Sequence, residues 1–233
     1  MRVCTLHTRT LNFTGAATLL DQELQKWNIQ LAGLQVRWLG SGETVVGDAT
    51  FLWSGREDNR HQEGVGLAVH RKAMSACVSR TPINERLLCA RFKHSCGHLS
   101  VVVAYVPTES TNTADKDQFY AQLDAAIADC RKNDLTVVLG DFNAVTGTNR
   151  LQGDTVLGPW GSGFPNENSD LFFSFCRGNN LSIDGSWLQR KDIHRFSWTQ
   201  KEIDHVLSSC GKLVRQCRVH CSFDVVVLLS EEH

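Results

Sequence analysis

The tetrapeptide Gly140-Asp141-Phe142-Asn143 closes the apolar run TVVL at 136–139. A glycine lets the backbone leave a strand sharply, so the polar residues that follow project from the strand's carboxyl end. A carboxylate there can bind a hard cation or take a proton from water, and an amide can donate to an anionic oxygen. A strand-ending turn closed by an Asx hydrogen bond accounts for the same residues. Two other runs also carry polar groups to their edges: AYVPT (104–108) offers the Tyr105 hydroxyl, and KEIDHVL (201–207) offers Asp204 and His205. A tyrosine hydroxyl can bond a phosphate or an attacking water, and an aspartate can hold an imidazole in one tautomer. Taken singly, Tyr105 also reads as a core aromatic, Asp204 as a turn residue and His205 as a strand residue facing solvent.

The elements that must position these groups are legible as short, β-branched runs bounded by turn residues. They are VCTLHT (3–8), IQLAGLQV (29–36), GVGLAVH (64–70), LLCARF (87–92), LSVVVAYV (99–106), LTVVLGDF (135–142) and LSIDG (181–185), the pattern of strands buried on at least one face. Helical periodicity marks 15–28, with Ala16, Leu19, Leu20, Leu24 and Trp27 on one face, and 115–133, with Phe119, Leu123, Ala126, Ile127 and Cys130. A third helix over 168–180 has an Asn or Ser cap and a Gly-Asn stop. Strands outnumber helices and the helices are spread along the chain, which predicts an α/β architecture with sheets inside and helices outside. The stretch 146–169, rich in glycine and asparagine, reads as a long surface loop anchored by Trp160 and Phe164, of the kind that borders a site.

The chain has 233 residues, 42% hydrophobic and 21% charged, enough for one domain spanning 1–233 with a substantial core. Its formal net charge is -1, so any nucleic-acid binding must rest on a local basic patch. The first residues lack a secretory pattern and no run is long enough to span a bilayer, which predicts an intracellular protein, nuclear or cytoplasmic. Nine cysteines at irregular spacing read as reduced, mostly buried thiols. The cluster Cys210, Cys217, His220 and Cys221 lacks paired CxxC spacing and reads as packing before zinc.

Taken together and in order, AYVPT, GDFNA, FSWTQ and IDHVL resemble the successive motifs of the endonuclease/exonuclease/phosphatase superfamily. More narrowly, the chain resembles the apurinic-type endonuclease domain of non-LTR retrotransposons and the craniofacial development protein 2-like proteins. That finer match includes RTLN, GLQ followed by VRWLGSGE, SGREDNRHQEGVGLAV, DKDQFYAQL, NENSDLFFSFC and KDIHRFSWT, and it covers nearly the whole chain. The resemblance implies a four-layer α/β sandwich, two packed mixed β-sheets flanked by helices, with a site where strand-end loops converge. It implies Mg2+, or Mn2+, assisting attack of water on a phosphodiester, with DNA as partner, a monomer, no membrane and no organic cofactor. Carried over by position, Asp141 orients or deprotonates the water, Asn143 binds a phosphate oxygen and Tyr105 stands beside the phosphate. Ser197 supplies a hydroxyl near the scissile group. Asp204 pairs with the family's catalytic histidine, a role that His205 does not take.

Three departures from the family pattern fall on metal binding. Where the family has an asparagine in its first motif this chain has His7, a poor substitute for oxygen toward magnesium. After GLQ the family's metal-ligating glutamate is missing, and Gln35 runs into Val36, with Glu43 several residues away and no obvious replacement. The family ends in Ser-Asp-His and a final strand, whereas here Glu232 and His233 stand as the Asp-His equivalent with no strand behind them, so the domain reads as truncated there. In the other alignment SFDVVV (222–227) is a shifted remnant and Asp224 the surviving acid. His7 and Glu232 are accordingly the candidate metal ligands and His233 the candidate acid-base group.

Three functions follow: a magnesium-dependent DNA endonuclease with impaired catalysis, a silent nucleic-acid-binding remnant of the same fold, or a phosphatase of small substrates. Arg56, Arg60, His61, Lys191, His194 and Arg195 are candidate phosphate contacts, and such charges also serve as a solvated face.

Overall fold

In the computed structural model, described over residues 1–8, 11, 15–58, 60–95, 97–191, 201–211, 214–220 and 223–229, runs of strands are interrupted by a few helices spread along the chain. The chain runs β1 (Arg2–His7), α1 (Ala16–Lys26), β2 (Leu31–Gln35), β3 (Ser41–Val46), β4 (Ala49–Gly55), β5 (Gly64–His70), α2 (Arg71–Met74), β6 (Cys77–Asn84), β7 (Leu87–His94) and β8 (Gly97–Tyr105). It continues through α3 (Thr113–Ala128), β9 (Leu135–Asp141), α4 (Glu167–Gly178), β10 (Ser182–Ile183), a 3-10 turn (Asp184–Trp187), β11 (Asp204–Ser208), β12 (Val214–His220) and β13 (Phe223–Leu229). One sheet has the order β12-β13-β1-β2-β5-β4-β3 and the other β10-β11-β9-β8-β7-β6.

Side chains alternate faces along a strand, and the two parities feed different cores. Val3, Leu31, Val65, Leu67 and Val69 of the first sheet meet Val101, Val103, Val137, Leu139 and Val206 of the second in the inter-sheet core. The opposite parity faces helices. Cys4, Ala32, Leu34 and Phe51 pack under Leu20 and Leu24 of α1, while Val102, Val138, Phe142 and Leu207 pack under Phe119, Leu123, Phe172 and Phe175 of α3 and α4. The four layers expected are therefore present. Gly33 marks the closest approach of the sheets, because a Cβ there would stand 2.7 Å from the Leu139 Cβ.

Helix ends follow local chemistry. Asn112 Oδ1 accepts from the Asp115 amide at 2.9 Å to open α3, and Asn166 and Ser169 form a reciprocal capping box at α4. Helix α4 stops at Gly178, and Asn180 takes a left-handed φ of 53° two residues on.

Several expectations need correction. Leu19 is 56% exposed, so the buried stripe of α1 is Ala16, Leu20 and Leu24. Phe164 is 93% exposed and Trp160 is 37% exposed, so neither anchors the loop by burial; Val156 and Leu157, both buried, do. Strands β3, β4, β6, β11, β12 and β13 fall outside the seven runs marked by the hydrophobic pattern. β3 and β6 are sheet edges, mostly exposed and therefore polar. Glu232 and His233 lie outside the described residues. The stretch of the alternative alignment forms β13, which pairs antiparallel with β1 through Arg2↔Leu228 to Thr5↔Val225, so the sheet position beside β1 is filled. The seven described cysteines are free thiols, and Cys217 is buried.

Candidate active site

Two parallel pairings bring four strand ends to one place. β1 pairs with β2 so that His7 lies opposite Gln35; β8 pairs with β9 so that Tyr105 lies opposite Asp141. β11 runs antiparallel to β9 and starts with Asp204 opposite Asp141. Parity then selects the face. His7, Gln35, Tyr105, Asp141 and Asp204 each share register with an inter-sheet core residue two or four positions away, namely Val3, Leu31, Val103, Leu139 and Val206. All five consequently point between the sheets at the carboxyl ends of the parallel strands, where open α/β sheets place ligands. Gly140 makes this possible on β9, because a Cβ there would sit 2.2 Å from the Ala104 carbonyl oxygen.

Asp141 is 3% exposed and has both oxygens engaged. Its Oδ2 lies 3.3 Å from His7 Nδ1, a contact that joins the two sheets. Its Oδ1 accepts from the Asn143 amide at 2.9 Å, which is the Asx turn anticipated for this tetrapeptide. Asn143 sits at a left-handed φ of 48°. Asn143 Nδ2 donates to the Val106 carbonyl at 3.0 Å, and its own carbonyl accepts from Asn166 Nδ2 at 2.8 Å and Asn168 Nδ2 at 3.2 Å. The helix α4 cap therefore holds the site turn in place.

The Tyr105 ring meets the His7 ring edge to face, with centroids 5.5 Å apart. Burial, then the neighbouring Asp141 charge, pushes the Tyr105 hydroxyl above the usual tyrosine range, against the opposing pull of Arg86 and Arg37. It stays protonated at neutral pH and able to donate. Asp204 is buried. His205 has the opposite parity. Its ring stacks on Phe172 at 5.0 Å, its Nε2 lies 2.9 Å from the Ala144 carbonyl, and burial lowers its pKa. It belongs to the helix-side core and does not face solvent.

Gln35 is 1% exposed and folded into the seam. Its Nε2 lies 3.4 Å from both Thr5 Oγ1 and the Ala104 carbonyl, so its amide is spent on structure. Glu43 stands on the exposed edge strand β3, paired with Arg80 at 2.6 Å, far along the sheet from Gln35. Among the described residues no group of three or more His, Cys, Asp and Glu side chains gathers to hold a metal ion. Among the described residues the donors thus do not fit magnesium: of the two carboxylates at this end, Asp141 and Asp204, both are buried and Asp141 is engaged on both oxygens, His7 offers an imidazole nitrogen where magnesium favours oxygen, and the Gln35 amide is turned inward. Ser197, Glu232, His233, His194 and Arg195 lie outside the described residues.

Two charged residues with no role in the motif reading stand at this end. Arg86 places its guanidinium carbon 5.3 Å from the Tyr105 ring centroid and donates Nη1 to the Tyr105 carbonyl at 3.1 Å. Glu63 accepts from Arg86 Nη2 and from Arg56 Nη1, each at 3.1 Å. Their sequence signal is thin: each is a charge directly beside a strand, at the end where the site residues also fall.

The architecture is that of the endonuclease/exonuclease/phosphatase fold. The chain superposes on an apurinic endonuclease from Archaeoglobus fulgidus with a TM-score of 0.72, at 11% identity, covering 99% of this chain and all of that one. It superposes on the endonuclease domain of TRAS1, a telomere-specific non-LTR retrotransposon, with a TM-score of 0.67, at 14% identity and full coverage of this chain. An endonuclease/exonuclease/phosphatase family protein from Leptotrichia buccalis gives 0.65 at 10% identity. In sequence, the chain is similar to craniofacial development protein 2 of Bos taurus and of Tragulus javanicus, 27% identical to each over 210 residues. Those 210 residues are 87% of this chain and 35% and 36% of the relatives, so the chain spans about a third of their length. No family model matches the chain.

Proposed function

We propose that this chain is a phosphodiester hydrolase domain of the DNA endonuclease type, derived from a non-LTR retrotransposon, whose use of a divalent metal is weakened. The observation that carries the reading is the convergence of Asp141, His7, Tyr105 and the Asn143 turn between the ends of two stacked sheets. In this reading a phosphodiester enters the mouth, the neutral Tyr105 hydroxyl donates to a non-bridging oxygen, and Asp141 orients the attacking water and takes its proton as the new P–O bond forms, while the bond to the 3′ oxygen breaks and that oxygen leaves as a hydroxyl, taking a proton from solvent. Asn143 bonds a phosphate oxygen once its amide leaves the Val106 carbonyl. Asp204, Ser197 and His233 enter on the resemblance alone, as do Mg2+ or Mn2+ and Glu232 as a ligand.

The test is nicking of supercoiled plasmid with magnesium or manganese. Asp141→Ala is expected to lower the rate by about 100-fold or more, the usual worth of a general base. Equal background rates for both proteins would overturn the reading. They would favour a second one, a nucleic-acid-binding domain without catalysis, for which the inward turn of Gln35 speaks directly. Inserting glutamate after Gln35 together with His7→Asn is expected to create magnesium binding measurable by calorimetry. Absence of any binding heat in the repaired protein would refute this placement of the metal position.

A further inference from the structure

Arg56 and Glu63 are the first and last residues of the loop 56–63, and they leave the sheet from paired positions, since Gly55 and Gly64 are partners across β4 and β5. The base of that loop is tightly seated, for a Cβ on Gly55 would stand 1.8 Å from the Trp38 carbonyl oxygen. Arg86 precedes β7 in the other sheet. Glu63 therefore spans the gap between the sheets beside Tyr105, giving one carboxylate oxygen to each arginine. The three side chains are 20 to 27% exposed, so solvent and ligands reach them. Arg56 is kept in place by Asp58, whose Oδ1 accepts from its Nε at 2.8 Å and whose Oδ2 accepts from Nη2. Arg86 is kept in place by the Tyr105 carbonyl. Both guanidinium groups would hold their positions if Glu63 swung away.

A phosphodiester presents two non-bridging oxygens that share one negative charge, the same demand on two N–H donors as the Glu63 carboxylate makes. Guanidinium groups suit either partner, and an ion pair with about a quarter of its side chains in solvent is screened enough to be exchanged. We propose that Arg56 and Arg86 form a phosphate clamp flanking the site, that Glu63 is its resident stand-in, and that a phosphodiester of a bound DNA strand displaces Glu63. The proposal rests on the reading of the chain as a DNA-acting domain and adds to it an internal competitor that sets affinity.

The experiment measures binding of a fluorescent duplex oligonucleotide by anisotropy, in EDTA, between 50 and 200 mM salt. Glu63→Gln is expected to tighten binding about tenfold at low salt and to steepen the logarithmic salt dependence by about one unit, close to one added phosphate contact. Arg56→Gln in the Glu63→Gln background is expected to remove the gain and restore the shallower slope. Unchanged or weaker duplex binding by Glu63→Gln, with a melting temperature equal to the parent's, would overturn the clamp while leaving the DNA reading in place. Calorimetry with inorganic pyrophosphate separates the other case. If no protein binds duplex but Glu63→Gln binds pyrophosphate more tightly through Arg56, the clamp stands and the DNA reading falls; if pyrophosphate is bound no better, the clamp falls too. Should Glu63→Gln fail to fold, Glu63→Asp, which retracts the carboxylate by one methylene, is expected to tighten binding in the same direction, and weaker binding would overturn the clamp.

Discussion

Two arginine–carboxylate networks flank the site, and they are built for different ends. Arg190 and Glu202 meet at 2.6 Å with 3% and 4% of their side chains exposed, and Ser162 Oγ donates to the second Glu202 oxygen at 2.9 Å. Arg86, Glu63 and Arg56 meet at similar range with about a quarter of each side chain in solvent. Desolvation separates them. A fully buried pair is costly to break because it strands a charge, whereas a partly exposed one is screened and replaceable. One network locks the segment before β11, and with it Asp204; the other leaves donors available at the mouth.

This contrast can be broken by mutation. Glu202→Ala, which leaves Arg190 buried without its carboxylate, is expected to cost about 3 to 5 kcal/mol in chemical denaturation. A loss below 1 kcal/mol would place that pair with the surface network. Glu63→Gln is expected to change stability by less than about 1 kcal/mol, even though its effect on duplex binding is large. A third carboxylate sharpens the comparison. Asp184 is buried with Ser208 Oγ donating to its Oδ1 at 2.7 Å, and burial raises its pKa well above the usual carboxylate value. The folded state therefore binds a proton that the unfolded state releases above its ordinary pKa near 4. Asp184 thus contributes fully below that pH and loses its contribution as pH rises toward the folded value. Asp184→Asn, which keeps the acceptor for Ser208, is expected to raise the melting temperature by a few degrees at neutral pH and to match the parent below about pH 4. An equal gain at both pH values would refute the protonated assignment.

The sequence exposed the site better than its surroundings. The runs at 99–106 and 135–142 are so apolar that their polar terminal residues, Tyr105 and Asp141, announce a strand end, and the structure places them side by side. Parity also separates Asp204 from His205 once β11 is known to pair with β9. What escaped were groups whose neighbours are distant in the chain. Gln35 reads as a strand residue beside a missing ligand, and only the fold shows its amide held by Thr5 and Ala104. Arg86 and Glu63 are surface charges by composition, made meaningful by Tyr105 lying between two sheets. Phe164 misled because aromatic character does not fix direction: the loop is held instead by backbone bonds such as Gly147 N to the Ser162 carbonyl at 2.9 Å and by buried Val156 and Leu157.

Gly33 carries a consequence for how such a domain could lose its chemistry without losing its shape. His7 and Asp141 belong to different halves of the sandwich, and their 3.3 Å contact lies near position 33, where the halves approach so closely that a Cβ would stand 2.7 Å from that of Leu139. A single methyl there would act as a shim. It would widen the seam by a fraction of an ångström, part the imidazole from the carboxylate, and leave every strand paired as before.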